Sequence, residues 1–356
     1  MNAHVVAYSS KNIFIDTHSR RQVMCKLVKG FMVLVLLSVS SLTLANDYRL
    51  EPSKVKGPDE CGECHKETVK AWKESHHSKT FKDMPRSEEA REIANKMGIK
   101  RIKSESDCLT CHFTIAEEEA AAKPIAGISC ESCHGAGADY IDVHSDFGGK
   151  DIKAENEDPA HKVKRYADSD AAGMIRPGNL YDLAANCYGC HTVPNEKLVN
   201  VGGHTAGSKF ELVRWSQGEV RHNVWYSDDN AEASLERKRM LYMVGKMLDF
   251  EYALRGVAKA TEGAEYAKAM AKRAQRGLAF LKKIDETVDD AQLTDIIAVG
   301  STAKLKLNNE TQLLAAADKV ATLAKAFSAN DRGAELSGVD ALLPTEDKYK
   351  GNVFHP

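Results

Sequence analysis

The sequence lacks an excess of charge of either sign. Its 49 Lys and Arg residues oppose 51 Asp and Glu residues, which leaves a formal net charge of -2. With so little net charge, there is no electrostatic reason to expect binding to nucleic acid or another polyanion. The 43% hydrophobic content excludes a disordered chain, and 24 Gly and 9 Pro among 356 residues exclude a collagen-like repeat. This length suffices for two ordinary globular domains.

The N-terminal apolar run is too short for a membrane anchor. It extends from Phe31 to Ala45, whereas a bilayer-spanning helix needs roughly 20 apolar residues. Basic residues precede the run and a small-residue pattern ends it at Ala45, which is the layout of a cleavable secretory signal. We therefore predict a signal peptide at residues 1–45, with Met24 as an alternative start, and a periplasmic mature chain.

The cysteines do not have the spacing of a disulfide framework, because eight of the nine fall into repeats of Cys-x-x-Cys-His. The four copies are Cys61-Gly-Glu-Cys64-His65, Cys108-Leu-Thr-Cys111-His112, Cys130-Glu-Ser-Cys133-His134 and Cys187-Tyr-Gly-Cys190-His191. Two thiols one helical turn apart can each add to a vinyl group of one porphyrin, and the adjoining histidine can ligate its iron. Zinc sites use similar cysteine spacing but do not require a histidine after every second cysteine. The repeats predict four covalently bound c-type haems.

Large aliphatic clusters are scarce between residues 46 and 230, where Gly, Lys and Glu are frequent. We expect the porphyrins to supply the missing apolar core of a haem-packed domain with little regular secondary structure. In such a domain the binding energy of the cofactor is also folding energy, so the chain without haem should be largely unfolded.

Whether each haem iron has a second axial ligand decides between two functions. An iron with both axial positions filled transfers electrons, whereas an open position can bind a small molecule. The histidines outside the motifs that follow the predicted signal are His76, His77, His144, His161, His204, His222 and His355.

The string from Cys130 to Gly137, Cys-Glu-Ser-Cys-His-Gly-Ala-Gly, resembles the tetrahaem cytochrome c-554 family. The segment from Ala71 to His77 and the first and fourth motifs add to the resemblance, which covers about residues 57–225. The family accepts electrons from hydroxylamine oxidation in ammonia oxidisers. Its members bind three haems through two histidines each, leave the second haem with its motif histidine alone, and pack the haems as close stacked pairs.

The resemblance implies distal ligands for this chain. His144 matches the distal ligand of the first haem, while His77 and His222 match those of the third and fourth haems, in an order that stays open. His112 would then bind a five-coordinate haem. The chain departs from the family pattern by adding His204 and the histidine before His77, and either of these could close that site.

Beyond about residue 230 cysteine stops, and apolar residues recur at helical spacing. One face contains Ala267, Met270, Ala274, Leu278 and Leu281, another contains Leu313, Ala317, Val320, Leu323, Ala324 and Phe327, and an earlier one begins with Leu241, Val244 and Leu248. We predict a bundle of three to four helices at residues 231–330, followed by a loosely attached C-terminal tail at 331–356. The resemblance does not cover this region, which offers a surface for a homo-oligomer.

These features predict an all-α, periplasmic tetrahaem cytochrome that carries electrons between redox partners, such as a periplasmic oxidoreductase and a membrane quinone-linked cytochrome. The alternative is an enzyme that reduces a small nitrogen or sulfur oxide at the haem of His112. The carrier is favoured because it needs no substrate pocket.

Overall fold

The structure is a computed structural model that describes residues 49–104 and 106–356. The predicted signal peptide and Met24 lie outside the described residues. The fold is 62% helix and 4% strand, which confirms the predicted all-α class. Within the described ranges, no helix has both the length and the hydropathy of a transmembrane span.

The part of the chain that contains the four motifs consists mostly of short helices, and each motif lies in or next to one of them. The first motif overlaps the end of one helix and its His65 directly precedes the next, while the other three motifs lie within helices or form them. The helices are α1 (Pro58–Gly62), α2 (Lys66–Glu74), α3 (His76–Asp83), α4 (Glu88–Met97), α5 (Ser106–His112), α6 (Cys130–His134), α7 (Pro159–Ala171), α8 (Leu180–His191), α9 (Glu196–Asn200) and α10 (Leu212–Ser216).

A β-hairpin that the sequence analysis did not predict joins the second motif to the third. Strand β1 (Thr114–Glu118) pairs antiparallel with β2 (Ala121–Ala126). The two residues between the strands, Glu119 and Ala120, have φ values of 52° and 61°. Two consecutive positive φ values are typical of a two-residue hairpin turn, and residues other than Gly, Asn or Asp seldom adopt them.

The C-terminal part consists of longer helices, as predicted. They are α11 (Leu235–Lys259), α12 (Glu265–Asp285), α13 (Ala291–Thr302) and α14 (Glu310–Ser328). The residues of the three predicted apolar faces are buried, or packed against the buried cluster in the case of Leu278. Met240, Met243 and Met247 are at most 2% exposed, so these methionines fill the core and do not form a contact surface.

The core of the C-terminal helices continues into the helix that carries the fourth motif. Leu180, Tyr181 and Tyr188 of α8 belong to the same buried cluster as the residues of α11. The hydroxyl of Tyr181 donates to the buried carboxylate of Glu251, with 2.6 Å between the oxygens. The described residues from 49 onward therefore belong to one compact unit, and the division at residue 230 stays a prediction drawn from the change in composition.

The expectation of a loosely attached tail at 331–356 is wrong. Leu336 and Val339 are 1% and 0% exposed, and Phe354 near the end of the segment is also buried. The Arg239 Nε atom of α11 lies 2.7 Å from the Asp340 carboxylate. The segment is held by buried apolar side chains and by a partly buried ion pair, which the composition of the segment did not indicate.

We expect the substitution Leu248→Ala to lower the free energy of unfolding by about 2–5 kcal/mol, because Leu248 is fully buried in the centre of α11. Leu235→Ala, at the 43% exposed start of the same helix, is the matched control and should change stability little. Urea unfolding of the haem-loaded protein, followed by circular dichroism, measures both. Equal effects of the two substitutions would contradict the described core.

Candidate haem sites

Each motif histidine faces one histidine from outside the motifs. The separations of the ring centres are 6.2 Å for His65 and His144, 6.5 Å for His112 and His204, 6.3 Å for His134 and His222, and 6.2 Å for His191 and His77. The four pairs use the four motif histidines, the three distal ligands that the resemblance implies, and His204, one of the two histidines named as able to close the second site.

These separations fit one metal ion between the two rings of each pair. A first-row metal lies about 2 Å from an imidazole nitrogen, and the ring centre lies about 1 Å further, so two opposed imidazoles on one ion have centres about 6 Å apart. The four observed values agree with this spacing. Together with the two adjoining thiols of each motif, the residues present fit a haem at every pair.

Hydrogen bonds at Nδ1 orient five of the eight rings. A carbonyl oxygen can only accept, so a ring bonded to one carries its proton on Nδ1 and leaves Nε2 free to bind a metal. The contacts are His134 to Ile175 O at 2.8 Å, His144 to Tyr140 O at 3.1 Å, His204 to Thr205 O at 2.9 Å, His222 to Val220 O at 2.6 Å and His191 to Ser208 Oγ at 3.0 Å.

Burial keeps several of these imidazoles neutral. Removal from water disfavours the cation and lowers the pKa of His65, His77 and His134, and it lowers the pKa of His112 and His191 to about 4. Neutral imidazole is the form that binds a metal. At neutral pH these rings are therefore already in the form that a ligand requires.

The structure also indicates which distal histidine lies opposite which motif, an order that the resemblance left open for His77 and His222. His222 lies opposite His134 of the third motif, and His77 lies opposite His191 of the fourth. His76, beside His77, faces no motif histidine. Its Nδ1 atom lies 2.5 Å from a carboxylate oxygen of Glu219.

Sulfur contacts join motifs that are not neighbours in the sequence. The nearby Cys130 thiol raises the pKa of Cys61, and the nearby Cys190 thiol raises the pKa of Cys111. The cysteines of the first motif thus lie near those of the third, and the cysteines of the second lie near those of the fourth. The Arg49 Nη1 atom lies 2.7 Å from the Cys190 sulfur. The guanidinium of Arg49 also acts electrostatically on Cys133 of the third motif.

Glu131, inside the third motif, is a site residue to which the sequence analysis assigned no role. Its side chain is fully buried, and its carboxylate accepts backbone N–H groups from Lys56, Gly57 and Gly137 at 2.7 to 2.9 Å. The carboxylate therefore ties the segment before the first motif to the third motif. The sequence did offer one clue to this role, which is an acidic residue between the two cysteines of a haem motif. A carboxylate that is buried there needs several hydrogen-bond donors around it.

Two aromatic side chains contact motif histidines and were also missed. Phe210 stacks on His191 with ring centres 4.5 Å apart, and Trp225 lies against His65 with ring centres 4.6 Å apart. Both follow the fourth motif in the sequence, where no local pattern points to a motif histidine.

Comparison with known proteins supports the expected resemblance. Residues 60–135, which contain the first three motifs, match the family model described as cytochrome c554 and c-prime. The chain is 24% identical over 168 residues to cytochrome c-554 of Nitrosomonas europaea. That alignment covers 44% of this chain and 66% of the relative, just under two thirds of its length. No solved structure matches the chain, and the C-terminal region is outside both matches.

The substitution Glu131→Ala should lower the free energy of unfolding, because each buried N–H group that loses its acceptor costs about 1–3 kcal/mol. Glu118→Ala, at an exposed carboxylate of the hairpin, is the control and should have little effect. Thermal unfolding of both variants with haem attached provides the comparison. A Glu131→Ala protein as stable as the control would show that the three N–H groups do not depend on this carboxylate.

Proposed function

We propose that this c-type cytochrome binds four haems and transfers electrons between redox partners. The observation that carries the proposal is the set of four opposed histidine pairs, each with one histidine from a Cys-x-x-Cys-His motif. Haem bound at these pairs would supply four one-electron redox centres. The cysteines of each motif would attach the porphyrin, and the two histidines would fill the axial positions.

The position of His204 favours an electron carrier over a reductase. A reductase needs an open axial position at the His112 haem, where the family resemblance left the second ligand missing. In this chain the His204 ring lies opposite His112 at nearly the same separation as in the other three pairs. With both positions filled, no site is left at that iron for a small substrate.

The protein around the rings holds them in the ligand geometry in advance. Burial keeps the pKa of His112 and His191 well below neutral, so neither ring must lose a proton before it binds a metal. The Nδ1 hydrogen bonds of the distal histidines His144, His204 and His222 fix ring orientation from the backbone. A ligand set that is held in this way changes little in geometry between two oxidation states.

The sulfur contacts support an order for the electron path. The first and third motifs lie close to each other at Cys61 and Cys130, and the second and fourth lie close at Cys111 and Cys190. The third and fourth approach each other around Arg49, close to Cys133 and Cys190. We therefore propose a path through the haems of the first, third, fourth and second motifs, with the first and second at its two ends.

The proposed compartment is the periplasm, on the basis of the secretory layout before Ala45 and of the covalent attachment of haem. The proposed partners are a periplasmic oxidoreductase and a membrane quinone-linked cytochrome. Transient redox partners of this kind use small and partly polar contacts.

Electron paramagnetic resonance of the oxidised protein should show low-spin haem only, because each of the four irons would have two histidine ligands. The substitution His204→Ala should convert one haem in four to a high-spin form that binds carbon monoxide when reduced. His161→Ala is the control, since the Nδ1 atom of His161 bonds to Glu157 at 2.8 Å and the ring faces no motif histidine. A high-spin haem in the unsubstituted protein would favour the reductase.

A further inference from the structure

The loop that carries His222 is held by the side-chain amide of one buried residue. Asn230 is 0% exposed, and its Oδ1 atom accepts the backbone N–H of Asn223 at 2.6 Å. Its Nδ2 atom donates to the backbone carbonyl of Arg221 at 3.1 Å. The single amide therefore bonds to the residue before His222 and to the residue after it.

The same amide connects this loop to the end of the chain. The Nδ2 atom of Asn230 also donates to the carbonyl of Phe354 at 2.9 Å. Phe354 belongs to residues 348–354, which we term the clamp. These residues lie beside the loop and are the packed end of the segment that the sequence analysis treated as a tail.

Backbone hydrogen bonds of the clamp reach the stretch just before His222. The Glu219 N–H donates to the Lys350 carbonyl at 2.8 Å, and the Lys350 N–H donates to the Arg214 carbonyl at 2.9 Å. Glu219 adjoins Val220, whose carbonyl accepts the Nδ1 proton of His222. Through Glu219 the clamp thus supports Val220, whose carbonyl orients the His222 ring. Through Asn230 it also supports the residues on either side of His222.

The approach of the clamp to the loop leaves no room for extra atoms. A Cβ atom on Gly218 would lie 2.1 Å from the Lys350 carbonyl oxygen. Gly351 has a φ of +71°, and a Cβ atom there would lie 2.6 Å from the Cβ atom of Glu219. Glycine at both positions permits the close contact, and the positive φ of Gly351 further favours it.

We propose that Asn230 and the clamp are positioning elements that hold His222 opposite His134, so that the second axial ligand of the third haem depends on the C-terminal region. The inference rests on the proposed function, in which His222 binds that iron. Asn230 makes no contact with iron and acts through the backbone on both sides of His222. The C-terminal region, outside the family match, thereby contributes to a haem site.

The test compares Asn230→Gly with His222→Ala in the full chain with haem attached. Glycine retains the left-handed backbone, since Asn230 has a φ of 52°, and removes only the amide. We expect Asn230→Gly to convert one haem in four, in part or fully, to the high-spin form that His222→Ala produces. Carbon monoxide binding to the reduced protein gives a second count of open axial positions.

The matched control is Asn309→Ala, which removes an amide that donates to Lys304 O at 2.8 Å at the start of α14. It should leave the spin state of every haem unchanged. A second variant lacks residues 352–356, which removes the Phe354 carbonyl but keeps the bonds of Lys350. This variant should show the same high-spin haem at a lower fraction, and it remains informative if Asn230→Gly does not fold.

The outcomes separate the inference from the proposed function. If His222→Ala yields one high-spin haem while Asn230→Gly and the shortened chain stay low-spin, the positioning role is wrong and the ligand assignment stands. If His222→Ala yields no high-spin haem, the assignment of His222 is wrong, and the inference falls with it. A purely structural role of Asn230 would lower the unfolding temperature without any change in spin state.

Discussion

The opposition of two imidazole rings about 6 Å apart is the constraint on which the rest of the structure depends. The two histidines of a pair come from different elements, as His65 before α2 and His144 in a short 3-10 helix (Val143–Ser145) after the third motif illustrate. Both rings must face one point, so short elements carry them: three motif histidines lie in short helices, while the distal histidines His204 and His222 lie in loops. Long regular helices would carry the paired histidines away from each other.

The sequence predicted what depends on local spacing. The four motifs follow from five-residue strings, and the buried stripes of α11, α12 and α14 follow from helical periodicity. The partners of His77 and His222 could not be derived, because they depend on the path of the chain between distant segments. The hairpin was missed because Glu119 and Ala120 are not typical turn residues. The buried contact between Asn230 and Phe354 joins residues too far apart for any periodicity to indicate it.

The C-terminal helices support the haem region as well as their own core. Arg273 of α12 lies 2.6 Å from an Asp249 carboxylate oxygen and donates to the Ser208 carbonyl at 3.1 Å. The hydroxyl of Ser208 lies 3.0 Å from Nδ1 of His191 in the fourth motif. With the clamp at His222, this contact connects two of the four candidate sites to the C-terminal region. A chain that binds several porphyrins has little apolar core of its own in that region, and a packed helical bundle supplies a rigid support.

The most direct test of the account is the number of haems bound to each chain. Intact mass spectrometry of the purified protein, together with the Soret absorbance and the iron content, measures this number. We expect the mass of the polypeptide plus four haems, and four irons per chain. A mass equal to that of the bare polypeptide, or stable folding with fewer than four haems, would contradict it.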